Sequence, residues 1–281
     1  MINESTRSPS LAGKVAIITG SGRGIGRHIA LKLAAEGAAI VVNDIDADAM
    51  HETVDEITVA GGRCVGVAGS VTDPSFAQTF VDTAVRELGG LHIIVNNAGY
   101  TWDDVLQRTS DEQWESMLDV HATAPFRLLR AAQPVISAAA RRERETGTSV
   151  CRKVVNVSSL AGMAGNPGQA GYSAGKAAVL GLTKTVAKEW GRYNVTVNAV
   201  AFGLIDTRLV APVEERTTVQ VGSRSVPIGV NPALLASVAQ SVPLARVGLP
   251  QEAAGAVYLL CTPESDYITG HTLTCSGGLQ G

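Results

Sequence analysis

A chain of 281 residues with 45% apolar and 17% charged side chains has enough apolar surface to bury a sizeable core, which excludes intrinsic disorder. The formal net charge of -3 offers no basic footprint, so nucleic acid is not expected as a partner. Cys64, Cys151, Cys261 and Cys275 show neither C-x-x-C pairing nor metal-ligand spacing. They read as free thiols of a reducing, cytoplasmic compartment, and no metal is expected.

In chain order, residues 1–10 are polar, lack the apolar run of a signal peptide, and read as a flexible leader. Short β-branched runs then alternate with segments of helical period. Val15-Ala16-Ile17-Ile18-Thr19 precedes a helix expected from about Ile25 to Ala35, and the strand Ala39-Ile40-Val41-Val42-Asn43 completes a β-α-β unit. Further strands are expected at Cys64 to Ala68, Leu91 to Val95, Lys153 to Val157, Val195 to Ala199 and Thr272 to Cys275. Seven strands with mostly helical crossovers predict an α/β fold: a single Rossmann-type, doubly wound domain over residues 11–281. Its seven-stranded parallel sheet carries helices on both faces. No uninterrupted apolar stretch approaches the length of a membrane span.

Two segments depart from the alternation. Residues 138–148, with Arg141-Arg142-Glu143-Arg144-Glu145, read as a solvated helix extension. Residues 209–243 form a long excursion with four prolines after a strand's C-terminal end, where an open α/β sheet binds its ligand. That makes the excursion a candidate substrate lid.

Thr19-Gly20-Ser21-Gly22-Arg23-Gly24-Ile25-Gly26 joins the first strand to the first helix. Glycine there permits a tight turn and close approach to a pyrophosphate, whose charge the helix N-terminus favours. The strict G-x-G-x-x-G spacing fails, and read alone the cluster also admits a purely structural turn. Asp44, 18 residues after Gly26, ends the second strand where a carboxylate accepts hydrogen bonds from the ribose of NAD and repels the extra phosphate of NADP. Arg23 points the other way, since a guanidinium in the loop can pair with that phosphate. Asp44 outweighs it: NAD is the expected cofactor, with NADP the alternative.

Tyr172-Ser173-Ala174-Gly175-Lys176 opens a long helical segment and sets phenol and ammonium on one face. A nearby cation favours phenolate, so the pair can act as an acid/base catalyst, although the bare spacing is common. Thirteen residues upstream, Ser158-Ser159 follows a strand, where a hydroxyl can hold a substrate oxygen or merely serve a turn.

Together with Asn96-Asn97-Ala98-Gly99, Asn198, Gly203-x-Ile205-x-Thr207, Ile268-Thr269-Gly270 and Gly277-Gly278, these motifs resemble the short-chain dehydrogenase/reductase family from about Leu11 to Gly278. The resemblance implies an oxidoreductase that interconverts a ketone and a secondary alcohol. Tyr172 is then the proton donor or acceptor, Ser159 polarises the carbonyl, and Lys176 binds the nicotinamide ribose and depresses the tyrosine pKa. It further implies cofactor contacts from Gly20, Arg23, Gly24, Ile25 and Gly26, from Ser70 and Val71 near the adenine, and from Asn97, Ala98 and Gly99. Gly203, Ile205 and Thr207 are expected at the carboxamide. A homotetramer is the assembly the resemblance implies.

Three positions depart from the family pattern. Trp114 and Phe126 align with the family's W-x-x-x-x-x-V-N-x-x-G-x-F setting, but its asparagine is His121 here. A histidine can donate, accept and titrate near neutral pH, so it is either a substitute in the proton relay or a packing residue. Phe202 replaces the usual proline, and Ser70 the usual aspartate. Gly165-Asn166-Pro167-Gly168-Gln169-Ala170 is similar to the 3-oxoacyl-thioester reductases, whereas Asn43-Asp44 and His121 are similar to NAD-linked 3-hydroxyacyl-CoA dehydrogenases. The expected substrate is a 3-oxoacyl or 3-hydroxyacyl thioester on coenzyme A or acyl carrier protein. Steroid, terpenoid or sugar alcohols are the enzymatic alternative. A cofactor-sensing regulator is the non-enzymatic one, opposed by the intact Ser159, Tyr172 and Lys176.

Overall fold

A computed structural model describes residues 10–207, 218–221, 224–227 and 240–280. The first β-branched run forms β1 (Val15–Ile18), followed by α1 (Gly24–Ala35) and β2 (Ala39–Asp44). Then come α2 (Ala47–Val59), β3 (Cys64–Ala68), α3 (Phe76–Thr83), which runs into a π-helical turn at Ala84–Leu88, and β4 (Ile93–Asn96). Next, α4 (Asp111–Leu118) passes through a second π turn, Asp119–Thr123, into α5 (Ala124–Glu145). The second half holds β5 (Arg152–Ser159), α6 (Leu160–Ala164), α7 (Ala170–Trp190) and β6 (Val195–Phe202). A hairpin of β7 (Thr218–Val221) and β8 (Arg224–Pro227), then α8 (Pro250–Leu259) and β9 (Thr272–Cys275), complete the order.

Seven strands form one sheet in the order β3-β2-β1-β4-β5-β6-β9, every pair parallel. Both faces are covered. Ala16, Ile18, Ile40 and Val42 pack into one layer with Ile29 and Leu33 of α1 and Val257 of α8. Val15, Ile17, Ala39 and Val41 pack into the other with Phe80, Leu128 and Val186 of α3, α5 and α7. Alternate residues of one strand thus enter opposite layers, which is why these strands read as unbroken apolar runs. After β3 the chain returns to the other side of β1 to form β4, so the topological switch lies between β1 and β4 and the crevice opens at their carboxyl ends.

The segment expected to be a solvated extension is less free than its charge run suggests. Glu143 accepts from both terminal nitrogens of buried Arg152, at 3.1 and 2.5 Å, and so pins the end of α5 to the start of β5. Ser10, expected within the leader, is also part of the packing: its hydroxyl lies 2.7 Å from the Tyr258 hydroxyl and donates to Glu36 at 3.1 Å. Residues 1–9 and most of the candidate lid at 209–243 lie outside the described residues. The described part of that excursion includes the antiparallel hairpin of β7 and β8, which was not anticipated. Among the described residues no helix is long and apolar enough to cross a membrane.

Candidate active site

The glycine loop is shaped by contacts that admit no larger residue. A Cβ on Gly26 would lie 2.0 Å from the Gly20 carbonyl oxygen, and one on Gly20 would lie 2.8 Å from Ala98 Cα. Asn97 locks this arrangement, its side-chain amide donating to the carbonyls of Thr19 and Gly20 at 2.9 Å each. The Thr19 hydroxyl in turn accepts from the backbone N-H groups of Asn97 and Ala98 at 3.0 Å. Asn97 therefore braces the loop with its amide. Gly24, at φ +55°, faces open space, and no side chain caps the start of α1. An uncapped helix N-terminus beside an open glycine fits a pyrophosphate.

Asp44 sits at the end of β2, with Oδ2 accepting from Gly22 N and Oδ1 from Asp46 N, both at 3.1 Å. Each oxygen keeps a further lone pair for a ribose hydroxyl. Arg23 is not a free guanidinium, because it pairs with Asp46. The cavity beside that pair, about 310 Å³, is lined by Gly22, Arg23, Asp46, Asp48, Ala49 and Glu52. Ser70, beyond β3, bonds to the Thr72 hydroxyl at 2.8 Å, and Val71 packs against the core.

At the chemical end, Ser158 and Ser159 divide their labour. Ser158 is buried and donates to the Lys176 carbonyl at 2.8 Å, fixing α7 against β5. Ser159 caps α6 through Ala161 N at 3.2 Å, and its hydroxyl favours the ionised form of the Tyr172 phenol. Lys176 is buried and donates to the Val157 carbonyl at 2.8 Å, with Nζ 5.8 Å from the Tyr172 ring centroid. Burial lowers the Lys176 pKa to about 7. Burial also pushes the Tyr172 phenol up to about 12, the Ser159 hydroxyl opposing this and the Asp103 charge adding to it. The expectation that Lys176 depresses the tyrosine pKa is thus corrected: desolvation dominates, and the ammonium is turned toward Val157. The phenol is a held proton, suited to donation.

His121 lies in the π turn between α4 and α5 and is buried edge-on against the Tyr172 ring, with centroids 5.0 Å apart. Two glycines make room: a Cβ on Gly99 would lie 2.4 Å from its Cε1, and one on Gly175 would lie 2.8 Å from its Cβ. Burial, reinforced by the Lys176 cation, holds the imidazole well below its usual pKa. The ring is therefore neutral at pH 7 and does not titrate near neutrality as expected. Its Nε2 lies 2.8 Å from the Tyr100 carbonyl, which can only accept, so Nε2 carries the hydrogen and Nδ1 presents a lone pair. Nδ1 is buried and has no hydrogen-bond partner.

Of the remaining expected residues, a Cβ on Gly203 would lie 2.8 Å from the Ser276 Cβ, and Ile205 is buried and bridges Gly248. Phe202, in the usual proline position, continues β6 and pairs with Ser159 and Cys275 on either side. Thr207 is the last described residue before the segment expected to be a lid. Asn198 braces the closing turn, donating to the Ile268 carbonyl at 2.7 Å and accepting from His271 N at 3.1 Å. Sequence reasoning missed Tyr100, whose carbonyl holds His121, and the pair Asp103 and Gln169, which closes over the start of α7. The only available signal was their position after the Asn97-Ala98-Gly99 and before the Tyr172 motifs.

The family profile described as enoyl-(acyl carrier protein) reductase matches residues 20–280. The chain is 37% identical to a 3-oxoacyl-[acyl-carrier-protein] reductase of Synechocystis sp. over 96% of this chain and 98% of that protein. It is 36% identical to the short-chain reductase protein NovJ of Streptomyces niveus, over 94% and 93%. A crystal structure of a dehydrogenase/reductase from Sinorhizobium meliloti 1021 superposes with a TM-score of 0.81 at 32% identity, covering 96% of each chain. The chain belongs to the short-chain dehydrogenase/reductase family. It is an NAD(P)-dependent oxidoreductase.

Proposed function

We propose that the chain reduces a 3-oxoacyl thioester to its 3-hydroxyacyl form, with Ser159, Tyr172 and Lys176 as the catalytic set and NADH as the preferred reductant. The cofactor supplies the hydride, and the protein positions the carbonyl and delivers the proton. The observation that carries this reading is the protonated Tyr172 phenol on the first turn of α7, beside Ser159 at the end of the neighbouring β5. Two hydroxyl donors beside one site suit a carbonyl oxygen gaining negative charge. They suit a carbon-carbon double bond, as in the family description, less well. The thioester is favoured by the activity for which the Synechocystis relative is named. Purified protein should oxidise NADH with acetoacetyl-CoA. Reduction of other ketones with none of this thioester would overturn the substrate assignment.

Preference for NADH is supported by Asp44 and by the cavity beside it, where three carboxylates accompany a single guanidinium already paired with Asp46. An additional phosphate meets net repulsion there. Asp44→Ala should narrow the NADH-to-NADPH ratio of kcat/KM, and a parent that binds NADPH more tightly contradicts the assignment.

His121 enters the proposal as a neutral acceptor. Nδ1, on a ring that feels the Lys176 charge, is suited to receive a hydrogen from a water that also accepts from Lys176. His121→Asn should retain turnover and His121→Leu should lower kcat by roughly tenfold with KM unchanged. Equal kinetics in both would make the ring a packing element. The assembly proposed is a homotetramer, for which exposed Trp114, Phe126, Leu259 and Tyr267 are candidate contacts. Light scattering of the purified protein tests it.

A further inference from the structure

The segment after β4 carries a carboxylate that the catalytic set does not use. It runs close to the tyrosine: the Tyr100 carbonyl holds His121, whose ring abuts Tyr172. Asp104 forms a backbone bridge with Gln169, the residue immediately before α7 and three before Tyr172. The Gln169 amide donates to Asp103 Oδ2 at 2.7 Å. The carbonyl site at Ser159 and Tyr172 is therefore flanked by two loops, 100–104 and 165–169, clasped together at Asp103.

Asp103 is exposed, yet the surrounding protein desolvates its carboxyl enough to raise its pKa. The clasp holds this carboxylate beside the N-terminal turn of α7, which carries Tyr172. Its partner there is a neutral amide, not a cation. The neighbouring cations are committed elsewhere, Arg108 to Asp104 and Lys176 to the Val157 carbonyl. The Asp103 charge reaches the phenol, since it is one of the influences raising the Tyr172 pKa. A second anion brought to the same phenol meets that uncompensated charge, and like charges repel.

We propose that Asp103 is a specificity-determining residue that admits neutral carbonyl substrates and turns away ketones bearing a carboxylate. On the thioester reading, to which this adds, it explains why a 3-oxoacyl group would be accepted as a thioester and refused as the free acid. The refusal is electrostatic: esterification removes the charge and leaves the reacting ketone unchanged.

The test compares kcat/KM for matched pairs at pH 8. One pair is 4-oxocyclohexanecarboxylate and its methyl ester, and the other is acetoacetate and its N-acetylcysteamine thioester. The native enzyme should favour the neutral member by roughly 10- to 100-fold. Asp103→Asn, which retains an acceptor for Gln169, should bring the ratio close to one by improving the acid, and Asp103→Glu should restore discrimination. In the native enzyme, raising the salt concentration should also narrow the ratio, because screening weakens repulsion. This readout does not depend on a variant folding. A ratio unaffected by Asp103→Asn, or by salt, overturns the proposal. If the cyclohexanone pair shows discrimination while the thioester is not reduced, the thioester assignment fails and the role of Asp103 stands.

Discussion

The two ends of the crevice are held by different means. At the nucleotide end, the loop carbonyls are satisfied: Asn97 spends its amide on two of them, and Asn43 spends its amide on the Val67 and Gly69 carbonyls at 3.0 Å each. Glycines leave the backbone no slack. At the chemical end, groups are held away from what they would choose. Lys176 is buried to a pKa of about 7, Tyr172 is raised to about 12, and His121 Nδ1 has no partner. A site that only positions can be fully satisfied, whereas a site that moves protons keeps shifted and unpaired groups at a cost in stability.

The comparison predicts that damage at the nucleotide end is structural and damage at the chemical end is not. The largest effect is expected from Gly26→Ala, whose methyl has no room beside the Gly20 carbonyl. Cofactor affinity should fall by about 100-fold or more in fluorescence titration, with a loss of about 1–3 kcal/mol in stability. Asn97→Ala should follow, since it leaves two loop carbonyls without their donor at about 1–3 kcal/mol, read as a lower denaturant midpoint.

Lys176→Met should behave in the opposite way. The native pKa of Lys176 is depressed from 10.5 to about 7, so between those values the unfolded chain binds more protons than the folded one. Its burial therefore costs stability below pH 7, and that cost is relieved as pH rises toward 10.5. The methionine variant should abolish turnover, match or exceed the native Tm at pH 7, and lose this pH-dependent rise by several degrees. A variant less stable at pH 7 would show that the lysine is structural. The smallest effect is expected from Asp46→Ala, which frees Arg23 for a phosphate. The NADH-to-NADPH ratio should narrow by about tenfold, and an unchanged ratio would remove the acidic cavity from the account.

The fold was legible because both sheet faces are buried: unbroken apolar runs such as Ile40-Val41-Val42 mark parallel strands, and the helices between them dictate the crossovers. The observed β5 and β6 extend beyond the expected ends to Ser159 and Phe202, since backbone pairing continues into polar residues that an apolar pattern omits. The hairpin was missed although Thr218-Val219-Gln220-Val221 and Arg224-Ser225-Val226-Pro227 flank a Gly-Ser pair, an available turn signal. The proposed catalytic trio was legible as ordered motifs, but its electrostatics were not. Spacing puts Lys176 near Tyr172, while only packing decides that burial outweighs the cation and that the ammonium turns to Val157. The π turn around His121 has no sequence mark, and the clasp of Asp103 on Gln169 joins residues 66 positions apart.

The central claim is that Tyr172 delivers the proton while the cofactor delivers the hydride. Single-turnover stopped flow, with cofactor-saturated enzyme mixed with acetoacetyl-CoA, compares the native chain with Tyr172→Phe. The native enzyme should oxidise one equivalent of bound NADH per site. The phenylalanine variant should bind NADH equally well and oxidise it at least about 100-fold more slowly, because the ring stays in place while the proton is gone. Oxidation at a rate close to native in the variant would contradict the account.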